Sequence, residues 1–438
     1  MTSKLPTELA VLMHGQRIGT LSRRGRTRPL QLRHRDDLSP DTTPLSVTMA
    51  ISDDLHRGPY VRHWLAGLLP DRDAVLAAWR RTFQVTSLEE YALLPHIGMD
   101  LAGAAQFCLP ELADNLNQVG ALVPLTEDEI GQRLDDLRST TSGWGVQARS
   151  GRFSLAGAQA KLALHFDGRT WFLPTGGQAT THILKPAISS LPDQDLNEHL
   201  TMRTAANLGL LVPPTRVMTF ADRRVLVVQR YDRITQDGQV SRIHQEDLVQ
   251  ASGRRPEDKY EAEGGPGIVA LTEMLRRVVS PQHRDQAVNS FLDAVAFNWL
   301  TAGTDAHAKN YSLLLSGQQV RLAPLYDLNS FLPYHSRAAT LSMSIGGTGH
   351  LRADRVTAAD WRWVARHTGI DPDVLLDRVG TMATRLPDAA STAAADDTGL
   401  VDVPAETRSF GRRFVDAVAD HSSKCLERLK NGTRSAES

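Results

Sequence analysis

Cysteine is nearly missing from this chain: Cys108 and Cys425 are the only two among 438 residues, and neither stands at metal-ligand spacing. That excludes a disulfide framework and a cysteine zinc site, and it indicates a reducing compartment. Net charge is missing too. The formal value is -1 at neutral pH, so no global field recruits nucleic acid or an anionic membrane. Long apolar runs are absent. No stretch approaches the length of a transmembrane helix, and the opening M-T-S-K-L-P-T-E has no apolar signal core. The expectation is a cytoplasmic protein with no membrane association. What remains is an ordinary globular composition, 41% hydrophobic and 23% charged, long enough for two or three domains and without an internal repeat.

The most informative stretch runs from Thr301 to Tyr326 and on to Asp327. An apolar helical pattern, Asp285 to Thr301, carries Val288, Phe291, Leu292, Val295 and Trp299 on one face. It feeds T-D-A-H-A-K-N, in which Asp305 and Asn310 form D-x-x-x-x-N. A short strand over Tyr311 to Leu315, a turn, a second strand and then Asp327 follow. Protein-kinase catalytic loops use this order: an Asp orients the acceptor hydroxyl, an Asn five residues on holds Mg²⁺, and a later Asp holds Mg²⁺ again. D-x-x-x-x-N alone is a weak signal, but the whole run is far less common. The competing reading is a polar turn in which Asp305 and Asn310 cap local backbone. His307 stands where kinases often place a lysine. It either touches the γ-phosphate or braces the loop.

Earlier residues form a frame for that stretch. L-A-V-L-M-H and then R-I-G-T-L read as two short strands, with His14-Gly15 as turn residues between them. A run of arginines follows (Arg23, Arg24, Arg26, Arg28, Arg33 and Arg35), and the acidic residues after it favour a solvated hairpin over a nucleic-acid contact. Pro59 to Leu69 and Arg72 to Phe83 read as helices, and so does Leu125 to Asp136 after a capping signal. Arg138 to Arg152, rich in Ser, Thr and Gly, reads as a boundary. Strands then dominate, with one helix over Asp195 to Leu208. After Ile243 helices take over: His244 to Ala251, Ile268 to Val279, Asp285 to Thr301, Asp360 to Thr368, Asp371 to Leu386 and Ala405 to Lys430. Ser391 to Thr398 reads as a surface loop and the last eight residues as disordered. The expected architecture is α+β, a protein-kinase-like two-lobe fold. Its parts are an N-terminal subdomain over 1–115, a strand-rich small lobe over 116–232 and a mainly helical large lobe over 233–438.

ATP chemistry also needs a backbone cradle and a cation on the phosphates. Ala156-Gly157-Ala158-Gln159-Ala160-Lys161 offers small residues whose amides can approach phosphate oxygens, though no G-K-[ST] closes it as in a Walker A loop. A plain hairpin turn is the competing reading. Lys185 ends the strand pattern T-H-I-L-K, comparable in position to the β3 lysine of kinases. Glu198 on the next helix is its candidate partner, or else a solvated acid near a helix start. Gln229 and Tyr231 leave a strand where a kinase hinge meets adenine.

Taken together, S-L-A-G-A-Q-A-K, I-L-K-P, V-V-Q-R-Y-D-R, H-Q-E-D-L-V-Q-A, K-Y-E…G-G-P-G-I, T-D-A-H-A-K-N and L-Y-D-L resemble the HipA family. These are bacterial serine/threonine kinases that act as toxins of type II toxin–antitoxin modules. The match runs in order from about residue 8 to about residue 350, and I-G-M-D-L-A-G-A-A resembles the family's N-terminal subdomain. The resemblance implies ATP and Mg²⁺ as cofactors, with Asp305 catalytic and Asn310 and Asp327 as metal ligands; His307 joins Asp305 as a candidate catalytic residue from its place in the loop. It also implies phosphate contacts from Ala156, Gly157, Ala158, Gln159, Lys161 and Lys185, adenine contacts from Gln229 and Tyr231, and autophosphorylation at Ser154. The implied partner is a small helix-turn-helix antitoxin, through which operator DNA is mainly contacted. Implied substrates include aminoacyl-tRNA synthetases, whose phosphorylation stops translation and growth. Ala160, Gln229 and Ala306 depart from the commoner pattern of Glu, Glu and Gly, which leaves substrate choice and the autophosphorylation site open. Two rivals stand beside this reading: a small-molecule kinase on a related fold, and a non-catalytic co-regulator of antitoxin and DNA.

Overall fold

The computed structural model describes residues 5–23, 28–71, 73–115, 120–139, 154–155, 157, 159–188, 191–334, 339–347, 349, 351–403 and 407–434. They divide into two compact units. The first comprises Met1–Pro186, Phe220–Pro256 and Ser312–Val320; the second comprises Ala187–Thr219, Glu257–Tyr311 and Arg321–Ser438. Among the described residues no helix is long and apolar enough to cross a membrane.

The first unit is built on antiparallel sheets. One has five strands in the order His56–Arg57, Gln31–His34, Gln16–Ser22, Glu8–Met13, Ala105–Cys108. The strand Glu8–Met13 is apolar at every position after its first, because both of its faces are covered. Leu9, Val11 and Met13 join one core with Ile18, Trp64 and Phe107. Ala10 and Leu12 point the other way, toward Met99, Cys108 and Ala113. The hairpin turns at His14 and Gly15, both at positive φ (51° and 77°), the backbone that lets a two-residue turn follow the strand twist.

A second antiparallel run in this unit carries Leu122–Leu125, Trp171–Pro174, Leu162–Phe166, His182–Pro186 and Arg223–Gln229, in that order. Lys185 pairs with Leu226, and Gln229 with His182, so Lys185 lies on an interior strand of this run. A further sheet pairs His244–Asp247 with Ser312–Ser316. That pairing corrects the expected helix from His244 to Ala251: only Leu248–Ala251 is helical. The ladder to Ser312–Ser316 and the buried bonds of His244 and Glu246 override the helical apolar spacing. Asp247 then caps the short helix, accepting from the Val249 and Gln250 amides.

The second unit is mainly helical. Arg284–Leu300 is buried along most of its length. Trp299 donates from its indole nitrogen to the Ala353 carbonyl (2.9 Å) and meets Trp361 at 5.6 Å between ring centres. Pro372–Ala395 packs on Arg408–Arg434 and on Gln194–Asn207. The expected loop over Ser391 to Thr398 is helical as far as Ala395, because an alanine-rich tail has the highest helix propensity and buries Ala390 and Ala393. The C-terminal helix likewise runs on to Arg434. Residues 435–438 lie outside the described residues.

Candidate active site

In the second unit the helix Arg284–Leu300 delivers the loop 301–311. It exits by a tight left turn in which Ala302 has φ 50° and the Gly303 amide donates back to the Asn298 carbonyl (2.7 Å). A Cβ on Gly303 would stand 2.3 Å from Asn298 Oδ1, so only glycine fits there. Asn298 donates to the Ala294 carbonyl (2.9 Å) and to the Tyr311 hydroxyl (3.3 Å). One buried amide thus ties the helix to the far end of the loop.

Between those anchors the Asp305 side chain is 69% exposed. Its carbonyl accepts from the His307 amide (2.9 Å) and from Asn310 Nδ2 (2.9 Å). The local-capping reading of D-x-x-x-x-N is therefore realised on the backbone side, while the carboxylate stays available. Asn310 uses its nitrogen in that bond, and among the described residues no protein donor meets its Oδ1. Asn310 Oδ1 and the Asp327 carboxylate are both oxygen donors of the kind a hard divalent cation takes.

Asp327 holds a left-handed backbone, φ 58°, a conformation Asp tolerates better than most residues. The segment after it is fixed by the helix Gln194–Asn207. Gln194 donates to Asn329 Oδ1 (3.1 Å) and to Glu198 (3.3 Å). Asn197 donates to the Ser330 carbonyl (2.6 Å) and accepts from the Ser330 amide (3.1 Å). Glu198 is buried, so the reading of it as a solvated acid does not hold.

His307 is buried. Its Nε2 is 3.9 Å from Asp305 Oδ1, beyond hydrogen-bond range, and its ring meets Tyr260 edge-on at 4.9 Å. Burial lowers its pKa and Lys259 adds to the lowering, while Asp305 and Asp327 oppose it. Tyr260 itself was missed by sequence reasoning: its hydroxyl donates to Asp305 Oδ1 at 2.7 Å. Its only sequence signal was the K-Y-E motif, to which no role had been attached.

In the first unit Ser154 is 0% exposed. Its amide donates to the Asp100 carbonyl (3.1 Å) and its hydroxyl to the Leu68 carbonyl (2.8 Å). Gly157 has φ 107°, and a Cβ there would stand 2.9 Å from Lys161 Nζ, so the lysine head lies directly over a glycine. Gln159 Nε2 donates to the Pro186 carbonyl (3.1 Å), next to the buried Lys185. Ala156 and Ala158, named above as cradle residues, lie outside the described residues, as do Arg24 and Arg26. Gln229 is exposed at its strand end. The Tyr231 hydroxyl donates to Gln245, and burial raises its pKa beyond the ordinary phenol range.

Around Tyr231 lies a second feature that the sequence reading missed. Asp100 of the I-G-M-D-L motif and Asp232 of Q-R-Y-D-R are both buried, and so are Arg230 and Arg233. Asp100 Oδ1 accepts from Arg233 (2.9 Å) and Arg242 (3.3 Å). Its Oδ2 accepts from the Thr180 hydroxyl (2.6 Å) and Arg230 (3.4 Å). Asp232 accepts two bonds from Arg230 (2.9 and 2.7 Å) and one from the Gly103 amide (2.7 Å). Burial pushes the Asp100 carboxyl up, but Arg233, Arg230 and Arg242 outweigh it and hold the group at about 2. The cluster locks the chain that leaves strand Arg223–Gln229 onto residues 100–104.

Comparison with known proteins accords with this geometry. The HipA-like C-terminal domain model matches residues 153–390, and the HipA N-terminal domain model matches residues 9–108. A Sinorhizobium fredii protein with a provisional kinase name, Y4mE, is 36% identical over 390 residues, covering 86% of this chain and 89% of that protein. The serine/threonine-protein kinase toxin HipA of Shewanella oneidensis is 28% identical over 390 residues, covering 85% and 86%. Among solved structures, the Shewanella oneidensis MR-1 toxin–antitoxin complex of HipA, HipB and operator DNA matches with a TM-score of 0.82 at 25% identity, over 97% of this chain and 98% of that one. The expected α+β, kinase-like two-lobe class agrees with that match.

Proposed function

We propose, from the premise that the chain belongs to the HipA family and is a serine/threonine-protein kinase, that it transfers the γ-phosphoryl group of ATP to a cytoplasmic protein with the help of Mg²⁺. The observation that carries this reading is the loop 301–311. There an exposed carboxylate, Asp305, has its backbone carbonyl held by Asn310 Nδ2 at 2.9 Å, and Asn310 keeps an oxygen for a cation.

In this reading Asp305 accepts the bond from the substrate hydroxyl and aims its oxygen at the phosphorus. Asn310 and Asp327 hold Mg²⁺, which when bound neutralises charge on the phosphate oxygens. Lys161, Lys185 and the amides of residues 156–159 hold the phosphates. Gln229 and Tyr231 meet the adenine, the latter through its backbone, since its hydroxyl is already bonded. His307 braces the loop through its buried ring against Tyr260. The downstream effect is inhibition of translation, with an aminoacyl-tRNA synthetase as the candidate substrate. A helix-turn-helix antitoxin of the HipB kind neutralises the kinase and carries the main contacts to operator DNA. Support for that partner comes from the likeness to the Shewanella protein solved with HipB and its operator.

Growth tests the biological half of the proposal. Expressed without an antitoxin, the wild-type chain should arrest growth and the Asp305→Asn form should not. Equal growth of the two strains, with soluble phosphoryl-transferring wild-type protein verified, would overturn the toxin role.

A further inference from the structure

We infer that Tyr260 is the positioning residue of the catalytic carboxylate: its phenol fixes one oxygen of Asp305 so that the other is presented to the substrate hydroxyl. The inference rests on the reading of Asp305 given above. The Tyr260 hydroxyl donates to Asp305 Oδ1 at 2.7 Å, and among the described residues Oδ2 has no protein hydrogen-bond donor. An aspartate that is mostly exposed turns freely about its terminal torsion unless one oxygen is held. A charge-assisted phenol bond of this length supplies the hold.

The phenol is itself fixed. Its ring lies edge-on to the buried His307, 4.9 Å between centres, with the Lys259 ammonium 5.3 Å from the ring centre. The backbone on each side of it is stitched to the loop it serves. The Ala308 amide donates to the Lys259 carbonyl (3.3 Å) and the Glu261 amide to the Ser342 carbonyl (3.4 Å). The Ser342 hydroxyl in turn donates to the Thr304 carbonyl (2.6 Å). Tyr260 and Asp305 therefore move as one body. This is the arrangement in which a base is oriented by a third group. It assigns His307 a definite task, that of backing the tyrosine ring.

The test compares Tyr260→Phe, which removes only the hydroxyl, with Tyr260→Ala, which also removes the ring against His307. The readout is ATP turnover with γ-labelled ATP, counted as labelled phosphate released to water plus that transferred to protein, so no substrate need be known. Tyr260→Phe should lower kcat by about 10- to 100-fold, the range expected for a misplaced reacting group. Its KM for ATP and its melting temperature should match wild type. Tyr260→Ala should lose as much kcat and melt earlier. In the Asp305→Asn background, Tyr260→Phe should cost nothing more. Full kcat in Tyr260→Phe beside an inactive Asp305→Asn would overturn the inference and leave the catalytic assignment standing. Full turnover in Asp305→Asn would instead remove the reading on which the inference rests.

Discussion

Replacing Asp100 with Asn removes the carboxylate at the centre of the buried cluster in the first unit. In the wild type three guanidinium groups, Arg230, Arg233 and Arg242, face two carboxylates, Asp100 and Asp232. The substitution leaves three cations with one anion. It also turns an amide N–H₂ toward donors, because one Asp100 oxygen faces Arg233 and Arg242 while the other faces Thr180 and Arg230. Removing one partner of a buried ion pair costs about 3–5 kcal/mol, since the desolvated partner charge stays behind. In a unit of roughly 200 residues each kcal/mol moves Tm by about 2–4 °C, so the midpoint should drop by about 6–20 °C. Calorimetric melting of the full chain at neutral pH measures it, and the transition that moves should be that of the first unit. Asp232→Asn should do the same, and the double variant should lose less than the two losses added together, because both residues serve one network. An Asp100→Asn midpoint within about 2 °C of wild type would refute the argument, because only a solvated or unpaired carboxylate costs so little.

Two further outcomes follow from buried groups. Ser154 donates its hydroxyl to a carbonyl at a site without solvent; a phosphoserine, with about −1.5 to −2 charge and only acceptor oxygens toward that carbonyl, cannot stay there. Phosphorylation should therefore free the segment around 154–161 and lower ATP affinity; mass spectrometry should find the mark in wild type and not in Asp305→Asn, and an unmodified Ser154 in active enzyme after long incubation with ATP would contradict it. His244 accepts from the Ala104 amide at Nδ1 (3.3 Å) and bonds the Leu45 carbonyl through Nε2 (2.9 Å), which requires the neutral ring, and burial lowers its pKa to about 4. A lowered histidine contributes stability that is full above its unfolded value of about 6.5 and is lost as pH falls toward 4, on the order of 3 kcal/mol. Melting temperature should fall across that window, and His244→Gln, whose amide can make both bonds without titrating, should flatten the fall; an unchanged slope would show that the ring is not buried neutral.

Much of the candidate site was legible because kinase chemistry constrains it locally. Asp305 and Asn310 sit in one short loop, and the helix before them has an apolar face readable at 3.6-residue spacing. What was not legible depends on chain segments far apart in sequence. Tyr260 reaches Asp305 from 45 residues away, and Asp100 meets Arg233 across 133; no periodicity encodes either contact. His244 to Ala251 was misread for the same reason. Its strand exists because Ser312–Ser316 lies beside it, and local propensity yields to that pairing. The loop expected at Ser391 to Thr398 was misjudged on composition, since low complexity made of alanine favours helix.

The central claim is that Asp305 carries phosphoryl transfer. Transfer of label from γ-labelled ATP by purified wild-type protein and by Asp305→Asn, with ATP affinity measured by calorimetry on both, tests it most directly. The account predicts that the variant binds ATP and Mg²⁺ nearly as well but loses more than about 100-fold in transfer, the usual contribution of a positioned acid–base group. Transfer by Asp305→Asn at the wild-type rate would contradict it.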